Sequence, residues 1–267
     1  MPEGHTLHRL ARLHQRRYAG SAVEVTSPQG RFPAAEVDGR VLLRAEAHGK
    51  HLFHVYGPDA TVHVHLGLYG TFTEHPHPVT EPVGQVRMRV VGPTHWTDLR
   101  GPTRCEVLTD GEVAALRGRL GPDPLRRDAR PGLVFARVAA SRRSIGVLLM
   151  DQAVIAGVGN VYRAEVLFRH GLHPLTPGHR VDRALWDAIW ADLVLLMRDG
   201  VKVGRIDTVR PEHLPAATGR APREDRHGGE VYVYRRTGLP CLVCGTPVAM
   251  AVLAARNLYW CPVCQPE

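Results

Sequence analysis

Apolar positions recur every three or four residues near the start of the chain, at Leu7, Leu10, Leu13 or His14, and Arg17 or Tyr18, and predict a helix over residues 5–20 that Gly20 stops. The other face of that helix carries Arg9, Arg12, Arg16 and Arg17 with no acidic residue among them. From about 22 to 110 the period changes to two. Short alternating or β-branched stretches at Val23–Val25, Val41–Leu43, His51–Tyr56, Thr61–Leu66 and Val86–Val91 predict strands. Gly30, Gly39, Gly49, Gly57-Pro58, Gly67, Gly70, Gly84 and Gly92-Pro93 fall between them, the spacing of an antiparallel sandwich or barrel. A short helix at Glu112–Leu120 leads into Gly121-Pro122-Asp123-Pro124, a turn-rich boundary. Helical spacing returns over Leu133–Ala140, Ile145–Ala156, Val161–Arg169 and Asp182–Arg198, with Gly171 and Gly200 as expected C-terminal stops. Residues 200–230 read as a basic connecting segment, and Val231-Tyr232-Val233-Tyr234 as a strand that introduces a cysteine cluster. The predicted class is α+β: a β-sandwich with a leading helix over 1–120, a helical domain over 121–223 and a small metal-bound hairpin over 224–267.

At 267 residues with 44% hydrophobic and 22% charged positions, the chain has enough apolar sequence for real cores, which argues against disorder. No apolar run approaches the roughly 20 residues of a membrane helix, so no membrane association is expected. The first residues, Met-Pro-Glu-Gly-His-Thr-Leu-His-Arg, lack an apolar signal core, so a reducing, cytoplasmic location is expected and the five cysteines need an explanation other than disulfides. The 34 lysines and arginines exceed the 26 acidic residues and give a net charge of +8. The excess is mostly arginine, whose planar fork pairs with phosphate at two points, and this points to nucleic acid.

Cys241-x-x-Cys244 and Cys261-x-x-Cys264 have the spacing of two knuckles around one tetrahedral ion. Four thiolates saturate zinc and leave no open position, so one structural zinc per chain is expected, with no redox or nucleotide cofactor. Cys105 is left over as a small buried apolar residue. Between the knuckles, Met250–Trp260 reads as a β-hairpin with Ala255-Arg256-Asn257 at its turn. Arg256 at the tip is either a phosphate grip or an ordinary solvated arginine. At the other end, removal of Met1 would leave Pro2 with a secondary amine of pKa near 8 or below. Such an amine can attack a sugar C1′ and form a cationic Schiff base, with Glu3 moving protons to the ring oxygen or from the sugar carbon.

These residues together resemble the formamidopyrimidine-DNA glycosylase and endonuclease VIII family of DNA repair enzymes over essentially the whole chain. The resemblance is carried by Met-Pro-Glu-Gly at the start, Gly49-Lys50, His65-Leu66-Gly67-Leu68-Tyr69-Gly70 and Gly121-Pro122-Asp123. It continues through Leu149-Met150-Asp151-Gln152-Ala153, Ala156-Gly157-Val158-Gly159-Asn160 and Tyr259-Trp260-Cys261-Pro262. It implies a β-sandwich, a helix–two-turn–helix domain and a zinc hairpin, with damaged DNA held between the halves. It implies a bifunctional glycosylase and AP lyase acting as a monomer in the cytoplasm, on the nucleoid when bound to DNA. By the same resemblance Pro2 is the nucleophile, Glu3 its acid–base partner and Lys50 a basic residue near the damaged nucleotide. Leu68 and Tyr69 form a wedge that fills the space left by the extruded base, and Asn160 and Arg256 contact the DNA backbone. The Leu-Tyr wedge is similar to the endonuclease VIII branch, which favours oxidised pyrimidines.

Three positions depart from that pattern. Gly67 stands where the endonuclease VIII wedge has a longer polar residue, and His5-Thr6 replaces the usual Pro-Glu pair, removing a carboxylate. A lesion-binding protein of the same fold with little or no turnover is therefore the alternative. A second alternative is a histidine-metal enzyme built on His63-x-His65 with the nearby His48, His51 and His54: alternation places His63 and His65 on one strand face, which can make a metal site, but no carboxylate lies in the same short segment.

Overall fold

Helix α1 (Gly4–Tyr18) buries Leu7, Ala11, His14 and Tyr18, one stripe at helical spacing, and leaves Arg9, Arg12 and Arg16 exposed. In this computed structural model, which describes residues 2–224 and 229–267, eight strands follow. They are β1 (Glu24–Thr26), β2 (Arg44–His48), β3 (His51–Gly57), β4 (Ala60–His65), β5 (Thr71–Pro76), β6 (Val86–Val91), β7 (His95–Arg100) and β8 (Arg104–Leu108). They pair antiparallel into two four-stranded sheets of order β1-β6-β7-β5 and β2-β3-β4-β8, the expected sandwich. Val25, Met88, Val90 and Leu99 from one sheet share a core with Ala47, Leu52, Val62, Val64 and Cys105 from the other. Cys105 is the buried residue expected, its thiol pushed up to about 12 by burial. Helix α2 (Asp110–Gly118) closes this part, begun by a capping box between Thr109 and Glu112.

The period-two rule has a second consequence. Ala47, Leu52, Val64 and Cys105 lie side by side across four strands and face the core. Their chain neighbours must then share the opposite face. One cross-strand row there is His48, His51, His65 and Arg104; the next is Glu46, Phe53, His63 and Glu106.

Two details of the sandwich differ from the sequence reading. Val41–Leu43 is not a strand: only Leu42 is buried, Val41 makes a single bridge to Ala22, and pairing begins at Arg44. Strands β5, β7 and β8 have no clear apolar alternation and are not legible in the sequence. In β7 the buried Asp98 is tolerated because Arg89 grips it at 2.7 and 2.9 Å and Arg100 at 2.8 Å.

The chain folds as two compact units, residues 1–119 and 120–267. In the second, α3 (Pro131–Ala139), α4 (Ile145–Leu148), α5 (Asn160–Arg169), α6 (Arg183–Val203) and α7 (Pro215–Thr218) precede a hairpin of β9 (Ala249–Leu253) and β10 (Arg256–Trp260). Helix α6 starts at Asp182, whose carboxylate accepts from the Leu185 amide at 2.8 Å. It buries Trp186, Ile189, Leu193, Met197 and Val201. Gly200 is not its stop: it lies within that buried stripe, and the helix ends at Gly204, where φ is +88°.

The helix expected over 145–156 ends after Leu148. Gln152 takes over the backbone beyond it, accepting from the Gly157 amide at 3.0 Å and donating to the Val158 carbonyl at 2.9 Å. Gly121 sits against this turn, its amide 2.8 Å from the Gln152 carbonyl, where a Cβ would collide with the Val154 backbone. Nor is 231–234 a strand. The amides of Tyr232, Val233 and Tyr234 all donate to the buried Glu165 carboxylate, at 2.6, 2.9 and 2.8 Å, so none is free for a sheet ladder. In the connecting segment 200–230, residues 225–228 lie outside the described residues, as does Met1.

Candidate active site and zinc hairpin

The N-terminal unit holds five of the proposed site residues. Pro2 is half-buried, and Glu3 is 1% exposed at the N-cap of α1, where its carbonyl accepts from the Thr6 amide at 2.9 Å. His5 is also buried, which drops its pKa to about 4 and leaves the ring neutral at physiological pH. Its Nε2 lies 3.3 Å from the Thr6 hydroxyl. The His5-Thr6 departure thus removes a carboxylate without setting a cation beside Glu3.

Lys50 occupies the two-residue turn between β2 and β3, half-buried, with Gly49 at φ +58° supplying the conformation such a turn requires. Leu68 and Tyr69 stand on the loop after β4, 48% and 86% exposed. The loop is cross-braced: Gly70 N donates to Leu66 O at 2.9 Å, Gly67 N to His65 Nδ1 at 3.1 Å, and Thr103 N to His65 O at 2.9 Å. Two apolar side chains held out on a tight loop are what a wedge between stacked bases needs. The departure at Gly67 has a local cause. Its φ is +67°, and a Cβ there would overlap the Thr103 hydroxyl, so Thr103 fills the space a longer side chain would use.

In the second unit Asn160 opens α5 behind Gly159, 6% exposed. Its amide Nδ2 donates to the Asn257 carbonyl at 2.9 Å, and its Oδ1 accepts from Arg163. Arg163, 1% exposed, also donates to Asn257 O at 3.0 Å and to Gly146 O at 3.2 Å. Asn160 and Arg163 therefore clamp the hairpin backbone one residue from Arg256, bringing Asn160 and Arg256 together. Arg163 is not legible in the sequence, because an arginine inside an apolar helix gives no sign of which distant carbonyls it will reach. Arg256 is exposed but is not the tip: it opens β10 opposite Leu253, and the turn is Ala254-Ala255.

The four cysteines bring their sulfurs within 4.8 Å of one another. The Cys241–Cys264 and Cys244–Cys261 sulfurs lie 3.8 and 3.4 Å apart, far beyond a disulfide bond. A tetrahedron with 2.3 Å bonds has edges of about 3.8 Å, so the donor set fits zinc and would hold it with all four positions filled. Amides of Val243 and Cys264 point at Cys241 and Cys261 sulfurs at 3.5 Å, supporting the thiolates from the knuckle backbone. Among the described residues no other group gathers three or more ligand atoms this way. His51 and His63 instead share a hydrogen bond of 2.8 Å, ring nitrogen to ring nitrogen, and His54 points to the other face, against His14.

Sandwich, helical unit and four-cysteine hairpin together define a class of DNA-repair fold. Residues 1–105 match the formamidopyrimidine-DNA glycosylase N-terminal domain. Residues 120–211 match the formamidopyrimidine-DNA glycosylase H2TH domain, and 238–266 the zinc finger found in FPG and IleRS. The chain is 59% identical over 274 residues to Endonuclease 8 1 of Mycobacterium tuberculosis, covering 99% of this chain and all of the relative. It is 30% identical over 273 residues to the formamidopyrimidine-DNA glycosylase of Thermus thermophilus, covering 99% and 92%. The crystal structure of the MutM (Fpg) protein from Thermus thermophilus superposes with a TM-score of 0.77 at 27% identity, over 100% of this chain and 99% of that one. Lactococcus lactis Fpg in complex with an abasic site containing DNA gives 0.78 at 21%, over 99% and 100%. The chain belongs to the formamidopyrimidine-DNA glycosylase and endonuclease VIII family. Within it, the chain falls on the endonuclease VIII branch.

Proposed function

We propose that this chain, a bifunctional DNA glycosylase and AP lyase of base excision repair, removes oxidised pyrimidines and nicks the strand through a Schiff base on Pro2. The observation that supports this reading most is the buried Glu3 carboxylate directly after Pro2, at the start of a helix seated on the sandwich.

With Met1 removed, the Pro2 nitrogen lone pair attacks C1′ as the bond from C1′ to the base breaks, and that electron pair leaves with the base. Glu3 takes the proton that the Pro2 nitrogen sheds on bonding to C1′ and delivers it to the sugar ring oxygen, the ring opens, and C1′ and Pro2 are left joined as an iminium. Elimination then breaks the C3′–O3′ bond. Lys50, a compact cation on a rigid two-residue turn, pairs with a phosphate of the damaged nucleotide. Leu68 and Tyr69 fill the space left by the extruded base, which offsets part of the few kcal/mol that extrusion costs. Arg256 grips the DNA backbone, with Asn160 beside it. Zinc, one per chain, holds the hairpin in shape. The enzyme acts as a monomer in the cytoplasm, on the nucleoid when bound to DNA.

Borohydride trapping on DNA carrying an oxidised pyrimidine or an abasic site tests this. Processed, zinc-loaded protein should give a covalent adduct that a form retaining Met1 does not. Protein that binds the lesion and yields no adduct would instead be a binding protein of this fold.

A further inference from the structure

On the outer face of the β2-β3-β4-β8 sheet, three titratable groups form an unbroken hydrogen-bonded line. Glu106 Oε1 lies 3.0 Å from His63 Nδ1, and His63 Nε2 lies 2.8 Å from His51 Nδ1. Glu106 is partly open to solvent, His63 is 1% exposed, and His51 is half-buried beside Lys50. The chemistry of the donors fixes the proton positions. A carboxylate only accepts, so His63 carries its proton on Nδ1 and offers Nε2 as an acceptor. His51 must then donate from Nδ1, which leaves its Nε2 a lone pair with no protein partner among the described residues.

We propose that Glu106, His63 and His51 form a proton relay that makes His51 Nε2 the acceptor of the sugar C2′ proton in the elimination step. This rests on the Schiff-base reading above. The C2′–H electron pair becomes the C2′–C3′ double bond, the C3′–O3′ bond breaks with its pair leaving on the phosphate, and the iminium is retained. As the proton arrives at His51 Nε2, the Nδ1 proton passes to His63 Nε2. The positive charge then rests on His63 against Glu106, away from the iminium cation. His51 is the catalytic group; His63 and Glu106 are positioning residues that act through it.

The surroundings keep the relay uncharged at rest. His48 at the end of β2, Lys50 in the β2–β3 turn, His65 from β4 and Arg104 from β8 all disfavour added positive charge, and Phe53 stacks on both rings. Burial first, then these neighbours, lowers His51 to about 3. Burial lowers His63 as well, and Glu106 opposes that shift.

His51→Asn keeps an N–H toward His63 but has no base. In single turnovers on abasic-site DNA its nicking should slow about 100-fold, within the usual range for a general base. Borohydride-trappable Schiff base should form at the wild-type rate and accumulate. Imidazole in the buffer should restore nicking to His51→Ala. Glu106→Gln removes the group that raises His63, so its nicking should slow and the acid limb of its pH profile should move to lower pH. Trapping and nicking that fall together in His51→Asn, or that both stay unchanged, would overturn the relay alone. A wild-type enzyme that traps nothing would overturn the Schiff-base reading, and the relay with it.

Discussion

Glu165 has no exposure at all, and its two oxygens accept from the amides of Tyr232, Val233 and Tyr234 and from the Thr208 hydroxyl at 2.5 Å. Two donors aimed at each oxygen suit a carboxylate, which only accepts, and nothing else of that size. Glu165→Gln would turn an N–H₂ toward two donors and leave them unpaired, so we expect a loss of about 3–5 kcal/mol in urea unfolding. A loss under about 1 kcal/mol would mean that water replaces those bonds. Glu74 is a similar hub in the sandwich, meeting His14 and Arg17 at 2.7 Å and Tyr18 at 2.9 Å. Burial alone would raise it, but the bonds from His14, Thr97 and Arg17 outweigh that and hold it at about 2. Its contribution is therefore present above the ordinary carboxylate range and is lost as pH falls toward 2.

Elements whose apolar stripe meets a core were readable from spacing: α1, α3, α5 and α6 each fall within a few residues of the expected place. Reading failed where side chains, not ladders or helical turns, take the backbone bonds, as Gln152 does after Leu148 and Glu165 does at 231–234. The zinc hairpin shows a different limit. Its alternation was readable, but its turn is Ala254-Ala255 at φ +49° and +58°, a left-handed pair that L side chains adopt at a cost of about 1–2 kcal/mol each. Asn and Gly favour that turn. Replacing Ala254-Ala255 by Asn-Gly should therefore raise the thermal midpoint of the metal-loaded protein by a few degrees, as calorimetry would measure. No rise would mean that the strain is already relieved elsewhere in the hairpin.

At the scale of the molecule, the hairpin is not an appendage. Cys241, Cys261, Val248 and Tyr259 belong to the same core as α5 and α6, and Asn160 and Arg163 tie Asn257 to the helices. Structural zinc contributes folding free energy directly, on the order of 10 kcal/mol in isolated fingers. Chelation should then strip amide protection in hydrogen exchange from β9, β10 and 231–234, while β3, β4 and β7 in the other unit keep theirs. On the proposed contact of Arg256 with the DNA backbone, DNA affinity should fall in the same titration. Retained protection in β9 and β10 would show that packing alone holds the hairpin.

What the sequence determined by itself was local or pairwise: helical stripes, the paired cysteine knuckles, the Met-Pro-Glu start, and the ordered motifs that mark the family. Each depends on residues a few positions apart or on spacings set by covalent geometry. Position 67 could be seen to depart from the pattern, but only Thr103, packed against it from another loop, explains the glycine. His63 and His65 could be placed on one face by alternation. That His63 bonds His51 and Glu106, each on a neighbouring strand, depended on register, which no single strand contains. The tertiary structure alone decided where the buried charges of Glu74, Arg163 and Glu165 find partners. Such groups are stable only when several distant donors or acceptors converge on them, and that convergence is a property of packing.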